Sequence, residues 1–590
     1  MRRSAWATAV AIAAALSIGV AACGGGSGGG GNTEKPKTGN PNPTGGKQGG
    51  KLTVLWTGDV DHIDCGQTYY QMGYFICFST QRPLYSYKPD DSEHIVPDLA
   101  SAAPEVSADG KSVTVKIRSG IKFSPPVNRE VTSKDVKYAI ERGFANNSLS
   151  GFVATYFPDL VGAKVGAKPF TKVPGITTPD DHTIVLKFKR AVGGVLAAGA
   201  LAQPSTAPVP EEYARKFDKQ NPSTYGENQV ATGPYMIENN AAGKAIGYQA
   251  GKQIHLIRNP NWDKSTDFKP AYLDEVMNLE GNDDTTVSAR RIITGQSMIN
   301  GDWTPPPEIL KQMLSNSSQK DQLVIVPGGG NRYVAMNTQV KPFDNINVRK
   351  AVSAGFDRVA MRLTRGGALV ADMPTHFIPP GTAGFDEAGG MDGPGYDFLN
   401  KTGAPNLQLA AEYFKKAGFA SGKYNGPPIL MVGTNEGVGA KAAEVAKENF
   451  EKLGFKVTLR QVTTNTMYTR YCGVPALKVA VCPNVGWIRD FADGQTILDP
   501  TFNGKNILDQ GNTNWPQLNV PAINKAMDQG ELAPSDQRAQ AWGDIDKQVT
   551  GQAAAIPWTW DKQPNIRSAN VNGVITLFNA QWDLSWTSLK

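Results

Sequence analysis

KAAEVAKENFEKLGFKVTLRQV, residues 441–462, decides the fold class. Val445, Ala446, Phe450 and Leu453 recur at helical spacing and predict one buried face of a helix. Gly454 follows where a helix exit needs a left-handed residue. In KVTLRQV the period then changes from helical to alternating, with Val457 and Leu459 on one side, which predicts a strand. Helix, glycine, strand is one unit of an α/β sheet covered by helices.

The same grammar extends outward. In NVRKAVSAGFDRVAM, apolar Val348, Ala351, Val352, Phe356 and Val359 predict a single helix capped by Asn347. Towards the N-terminus, LTVLW from Leu52, SVTVKIR with Val113, Val115 and Ile117, and HTIVLKF with Ile184, Leu186 and Phe188 predict strands. Between the last two, TSKDVKYAIERGF predicts a helix with Thr132 as its cap, Asp135 three positions on, and Val136, Ala139, Ile140 and Phe144 inward. Strands and helices mix throughout, and no short-period repeat is present.

A chain of 590 residues is long enough for two or three lobes. Its 40% hydrophobic and 19% charged residues are those of a globular protein. The formal net charge is +6, and removal of residues 1–22 takes away Arg2 and Arg3 and no acid, leaving +4. No basic block of the kind that binds nucleic acid occurs, so that class of partner is set aside. Only the extreme N-terminus has a long apolar run, which excludes a polytopic membrane protein.

That run, MRRSAWATAVAIAAALSIGVAAC, has the layout of a secretory signal peptide. Val20-Ala21-Ala22-Cys23 resembles the bacterial lipobox, which implies cleavage after residue 22 and a lipid on Cys23. A plain signal with a chance cysteine and an uncleaved anchor are the alternatives. Residues 24–50, rich in Gly, Pro, Asn and Lys, read as a flexible tether whose ends lie roughly 25–30 Å apart by random-coil scaling. Gly25–Gly29 fits a hydrolase G-x-S-x-G, and Gly45–Lys51 fits most of a phosphate loop ahead of Leu52. Low complexity generates both, and neither stands between a strand and a helix.

Four cysteines remain, Cys65, Cys77, Cys472 and Cys482. Outside the cytoplasm an even number suggests disulfides. Three pairings are open, and the local one, Cys65–Cys77 with Cys472–Cys482, is favoured. Each loop would contribute about 2–3 kcal/mol. The cysteines lack zinc-ligand spacing, and His62, His94, His182, His255 and His376 are scattered without H-E-x-x-H. No metal and no cofactor are expected.

Four blocks together resemble one family. HIVPDLASAAPEVSADGKSVTVKIRSGIKF (94–123), continued by REVTSKDVKYAIER, follows the family's P-D-L-A, D-G turn, strand, G-x-K-F and T-x-x-D-V order. ATGPYMIE (231–238) with LIRNPNWD follows its G-T-G-P-Y and R-N-P patterns. AMNTQVKPFDNINVRKAVSAGFDR (335–358) follows its N-T, P-F, V-R and D-R spacing, and VGWIRDFAD (485–493) its G-W-x-x-D. The chain is thereby similar, over most of residues 51–560, to the large extracytoplasmic solute-binding proteins of ABC importers, of the oligopeptide-, dipeptide- and nickel-binding type.

The resemblance implies an α/β, two-lobed periplasmic-binding-protein-like fold of the large, three-domain type, with mixed sheets covered by helices. Domain I would comprise residues 51–81, 228–323 and 550–590, domain II residues 82–227, and domain III residues 324–549. It also implies a monomeric, non-enzymatic receptor, anchored by lipid on the outer face of the cytoplasmic membrane, which passes short peptides to a permease and its ATPase. A sugar, nickel chelate or other small solute is the alternative cargo, and a surface-anchored hydrolase is a distant one.

Asp490 stands at the family's G-W-x-x-D aspartate, which implies pairing with a peptide α-ammonium; Asp493 is its near neighbour. Gly486 and Trp487 would present a strand edge to the peptide backbone. Arg489, a further ligand-binding candidate, departs from that picture by placing a cation beside the amine site, where it would select an acidic group instead. Ile63-Asp64-Cys65 stands where the family has L-D-P, so Ile63 and that pocket wall differ. Tyr74, Trp303 and Trp515 are further candidates for the cleft wall, with core packing as the plainer role for each.

Overall fold

The computed structural model describes residues 45–509 and 511–590. The signal segment, Cys23 and the tether as far as residue 44 lie outside them. Residues 45–50, expected to be tether, belong to the folded body: Lys47 bridges Leu589, and the Gly49 and Gly50 amides donate to Tyr272 O and Asp274 Oδ2. Their glycines let the backbone lie flat against neighbours that a side chain would strike, such as Leu589 beside Gly50.

Three main sheets organise the chain. In the first, Met298–Asn300, Lys51–Leu55 and Glu275–Leu279 are adjacent and parallel, and Gln253–Arg258 and Tyr235–Ile237 extend the sheet antiparallel. Leu52, Val54, Ile254, Val276 and Ile299 fill its core. In the second, Glu105–Val106, Ser112–Lys116, Thr183–Lys187 and Ile176–Asp180 form an antiparallel sheet. It is packed by the helix Ser133–Gly143, whose start is fixed by the Thr132 amide donating to Asp135 Oδ2 at 2.8 Å.

The third sheet runs Ala371–Asp372, Ala555–Ile566, Leu323–Met336, Val481–Ile488, Ile429–Thr434, Val457–Val462. Its last two strands are parallel, and the helix Gly437–Lys452 packs on both. Ala446, Phe450 and Leu453 are buried as the 441–462 pattern requires, Val445 sits at the margin, and Gly454 takes φ +98°.

One expectation fails. The segment 346–363 is two helices, Ile346–Gly355 and Arg358–Leu363, not one. Asn345 caps the first by accepting from the Asn347 amide. Phe356 is extended, and the Asp357 carboxylate accepts from the Ala360 amide to start a new helix. The apolar stripe continues across this break because Phe356 is buried in the core shared by both pieces.

Two long strands, Leu323–Met336 and Ala555–Ile566, pair with each other and pass between cores. Leu323, Val324 and Val326 pack with the first sheet and its helices, while Tyr333, Val334 and Met336 pack in the third. Their pairing is interrupted between Pro327 and Asn331, across Gly328-Gly329-Gly330.

Candidate functional site

A cavity of about 500 Å³ opens where these bodies face each other. Trp56, Thr57, Gly58 and Asp59 follow the strand Lys51–Leu55, and Asp302 follows Met298–Asn300. This wall therefore sits at the carboxyl ends of parallel strands, the usual ligand-binding edge of an α/β sheet. Gly301 has no room for a side chain, since a Cβ there would lie 2.3 Å from the Trp56 ring. That close approach sets Asp302 beside Trp56.

The facing wall is Gly486 to Asp490, at the end of Val481–Ile488. One edge of this strand pairs with Leu323–Met336 through Gly330, Asn331 and Arg332. Among the described residues its other edge has a strand partner only at Val481. Trp487 lies in the wall, backed by Trp515 at 6.2 Å, and its indole N–H has no acceptor among the described residues.

Tyr69, Tyr70 and Tyr74, around the start of the helix Gln71–Thr80, complete the lining. Asp61 holds their loop through the Tyr69 amide at 2.7 Å and the Thr68 hydroxyl. A disulfide joins Cys65 in that loop to Cys77 on the helix, with Cα atoms 5.6 Å apart. A second joins Cys472 to Cys482, on the strand that carries Gly486 and Trp487. Each wall is thus stapled close to the residues it presents.

Asp490 is only 6% exposed. Its Oδ1 accepts from Tyr69 Oη at 2.7 Å and its Oδ2 from Tyr156 Oη at 2.5 Å. Burial and the carboxylate push both phenols well above their ordinary range, so they are neutral donors. No Lys, Arg or His among the described residues pairs with Asp490, and burial pushes its carboxyl up to about 6 despite the two phenols. Each oxygen still has a lone pair for another donor. The arrangement is an anion, ionised at neutral pH, without a cation.

Arg489 does not supply one. Its guanidinium donates to Gly381 O, to Thr382 Oγ1 at 2.9 Å and to Leu577 O at 3.0 Å. It ties the wall to other segments and is held by burial at about 10. Asp493 is spent on Arg538, whose Nε lies 2.6 Å from its Oδ2. The two neighbouring aspartates are thereby told apart.

Ile63, Trp303 and Trp515 are not on the cavity. Ile63 is core, with its carbonyl accepting from Gln229. Trp303 is buried with its indole N–H on Leu55 O. Asp64 is taken by Arg142, which also holds Asp218, in a buried network that ties the loop to the helix Ser133–Gly143.

Several residues of the site escaped the sequence reading. Tyr69 and Tyr156 carried no signal. Asp59 and Asp302 did: each is the aspartate of a Gly-Asp pair just past a strand.

Asp302 is exposed to the cavity, and desolvation by the surrounding protein pushes its carboxyl up to about 6. Asp59 accepts from the Val60 and Gly251 amides and from Tyr248 Oη at 3.3 Å, and faces Glu280, whose carboxyl burial and the Asp59 charge push up to about 8.

Two cores joined by a pair of crossing strands, with a cavity between them and a cation-seeking carboxylate in its wall, define a two-lobed solute-binding protein. The chain matches the family described as bacterial extracellular solute-binding proteins, family 5 Middle, over residues 94–509, and belongs to it. It is 24% identical over 483 residues to the oligopeptide-binding protein OppA of Bacillus subtilis, covering 80% of this chain and 81% of that one. It is 25% identical over 484 residues to heme-binding protein A of Haemophilus influenzae, covering 79% of each. The solved structure of clavulanic acid biosynthesis oligopeptide binding protein 2 superposes with a TM-score of 0.80 at 26% identity, covering 93% of this chain and 96% of that one. The expected family and two-lobed fold are the ones found, and the protein is a binding protein rather than an enzyme. Among the described residues no helix is long and apolar enough to cross a membrane.

Proposed function

We propose that the protein captures short peptides in this cavity, holding the N-terminal ammonium on Asp490 and the backbone along Gly486 and Trp487. The observation that carries this reading is Asp490 itself: a buried carboxylate, oriented by two phenols, lining a cavity and lacking a cation. A peptide amine supplies both the charge and the donors it lacks. The edge of Val481–Ile488 beyond Val481, which has no strand partner among the described residues, suits a peptide backbone. Two of the similar proteins are oligopeptide-binding by name.

In this reading residues 51–81, 228–323 and 550–590 form domain I, 82–227 domain II and 324–549 domain III. The lobes close about Gly328–Gly330. The receptor acts as a monomer, held by lipid on Cys23 at the outer face of the cytoplasmic membrane, and hands its cargo to an ABC permease and its ATPase. Cys23→Ala releases it from the membrane fraction; retention there contradicts the anchor. Asp490→Ala weakens peptide binding more than tenfold, because truncating one partner of a buried charge pair costs about 2–5 kcal/mol. Unchanged affinity removes Asp490 from the site, and binding of heme or a sugar in place of any peptide replaces the cargo.

A further inference from the structure

The charges lining the cavity are unbalanced. Asp59, Asp302 and Asp490 face Arg489 alone, and the Arg489 guanidinium is committed to Gly381, Thr382 and Leu577. A peptide amine on Asp490 neutralises one carboxylate and leaves the opposite wall, Asp59 and Asp302, without a counter-charge, Asp59 being held only by neutral donors.

Asp302 is poorly satisfied by the protein. Its one hydrogen bond among the described residues is from Gln581 Nε2 at 3.5 Å, the outer limit of such a contact. Behind Asp59, burial and the hydrogen-bonded Asp59 carboxylate push the Glu280 carboxyl up to about 8, so the protein adds a further acid rather than a base to that wall. A free carboxylate on a short ligand meets no uncommitted cation in the lining.

We propose that the cleft selects ligands carrying a second positive charge, held by Asp302 with Asp59 on the wall facing Asp490. This deepens the peptide-receptor reading and rests on it only for the first charge. The shared chemistry is two ammonium or guanidinium groups on one ligand, which a peptide led by a basic residue and an aliphatic oligoamine both provide. A cation between these carboxylates gains charge-assisted hydrogen bonds from groups that the fold leaves without a counter-charge.

Calorimetric titration of the full chain with Lys-Ala-Ala, Ala-Ala-Ala and Glu-Ala-Ala amides, and with spermidine, tests it. The Lys-led peptide binds at least tenfold tighter than the Ala-led one, and the Glu-led peptide is weakest. Asp302→Asn and Asp59→Asn each cut the Lys-to-Ala ratio below threefold, while Asp302→Glu restores it. Because the readout is a ratio within one protein, a general loss of folded material does not mimic it. Equal affinity for all three peptides, or a Lys preference that survives in both Asn variants, overturns the proposal, as does failure of every probe to bind. Spermidine binding that Asp302→Asn abolishes, without binding of any peptide, keeps the second-charge site and discards the peptide reading. Peptide binding indifferent to charge does the reverse.

Discussion

Tyr156 Oη lies 2.5 Å from Asp490 Oδ2, although the two residues are 334 positions apart. Tyr156 ends the helix Gly151–Tyr156, and Asp490 follows the strand Val481–Ile488. Their contact joins the segment expected to be domain II to that expected to be domain III, and Tyr69 adds the first part of domain I. One carboxylate thus gathers all three while keeping lone pairs for a ligand.

Tyr156→Phe removes a hydrogen bond to a charged group, an interaction worth about 1.5–3 kcal/mol. That bond lowers the Asp490 pKa, so its loss raises it further. The expected result is weaker peptide binding at pH 6 than at pH 8, by a wider margin than in the parent protein. The pH dependence of Kd for both proteins checks this.

Binding itself is pH-dependent with a defined sign. Asp490 titrates at about 6 in the ligand-free fold, above its ordinary 3.8, so it is increasingly protonated below that pH. Affinity for an amine ligand falls below pH 6, towards tenfold per unit, and is flat up to about 8, where a free α-amine loses its proton. In the ligand-free protein the raised pKa means that Asp490 favours the fold below about pH 4 and loses that contribution as pH rises through 6. The increase in Tm on adding peptide should therefore grow from pH 5 to pH 7. A constant increase contradicts this role.

The junction between the crossing strands depends on glycine. Gly329 takes φ +66°, and a Cβ there would sit 2.8 Å from Arg489 Nε. Gly329→Val forces a β-branched residue into the left-handed region, at about 1–3 kcal/mol, and displaces the guanidinium that ties the wall to Thr382 and Leu577. Urea denaturation should show the loss of stability, and peptide affinity should fall with it.

How much of this was legible depends on the range over which each signal acts. The helix and strand of 441–462 were, because period and a glycine exit are local. The break at Phe356–Asp357 was hidden by a stripe that stays in phase across it, and Asn345 and Asn347 are equally good caps on paper. Asp490 was legible through its motif, but the direction of Arg489 was not, because its partners Gly381 and Leu577 lie about a hundred residues away on either side. Asp59 and Asp302 become one wall only when Lys51–Leu55 pairs with Met298–Asn300, and strand order is not written in local pattern.

The disulfide Cys65–Cys77 holds the loop that presents Asp59 and Tyr69. Its removal by a double Cys→Ser change costs about 2–3 kcal/mol of stability. Affinity should fall as well, since Tyr69 loses its fixed place on Asp490. Equal affinity at a temperature where both proteins are folded contradicts a positioning role for this staple.

Native mass spectrometry of the protein purified without denaturation, beside Asp490→Ala, tests the central claim most directly. The parent should carry adducts that fragment as short peptides with free N-termini, and the variant should be stripped of them. A single cargo without an amine, or the same peptides retained at equal occupancy by Asp490→Ala, would contradict capture of a peptide N-terminus by Asp490.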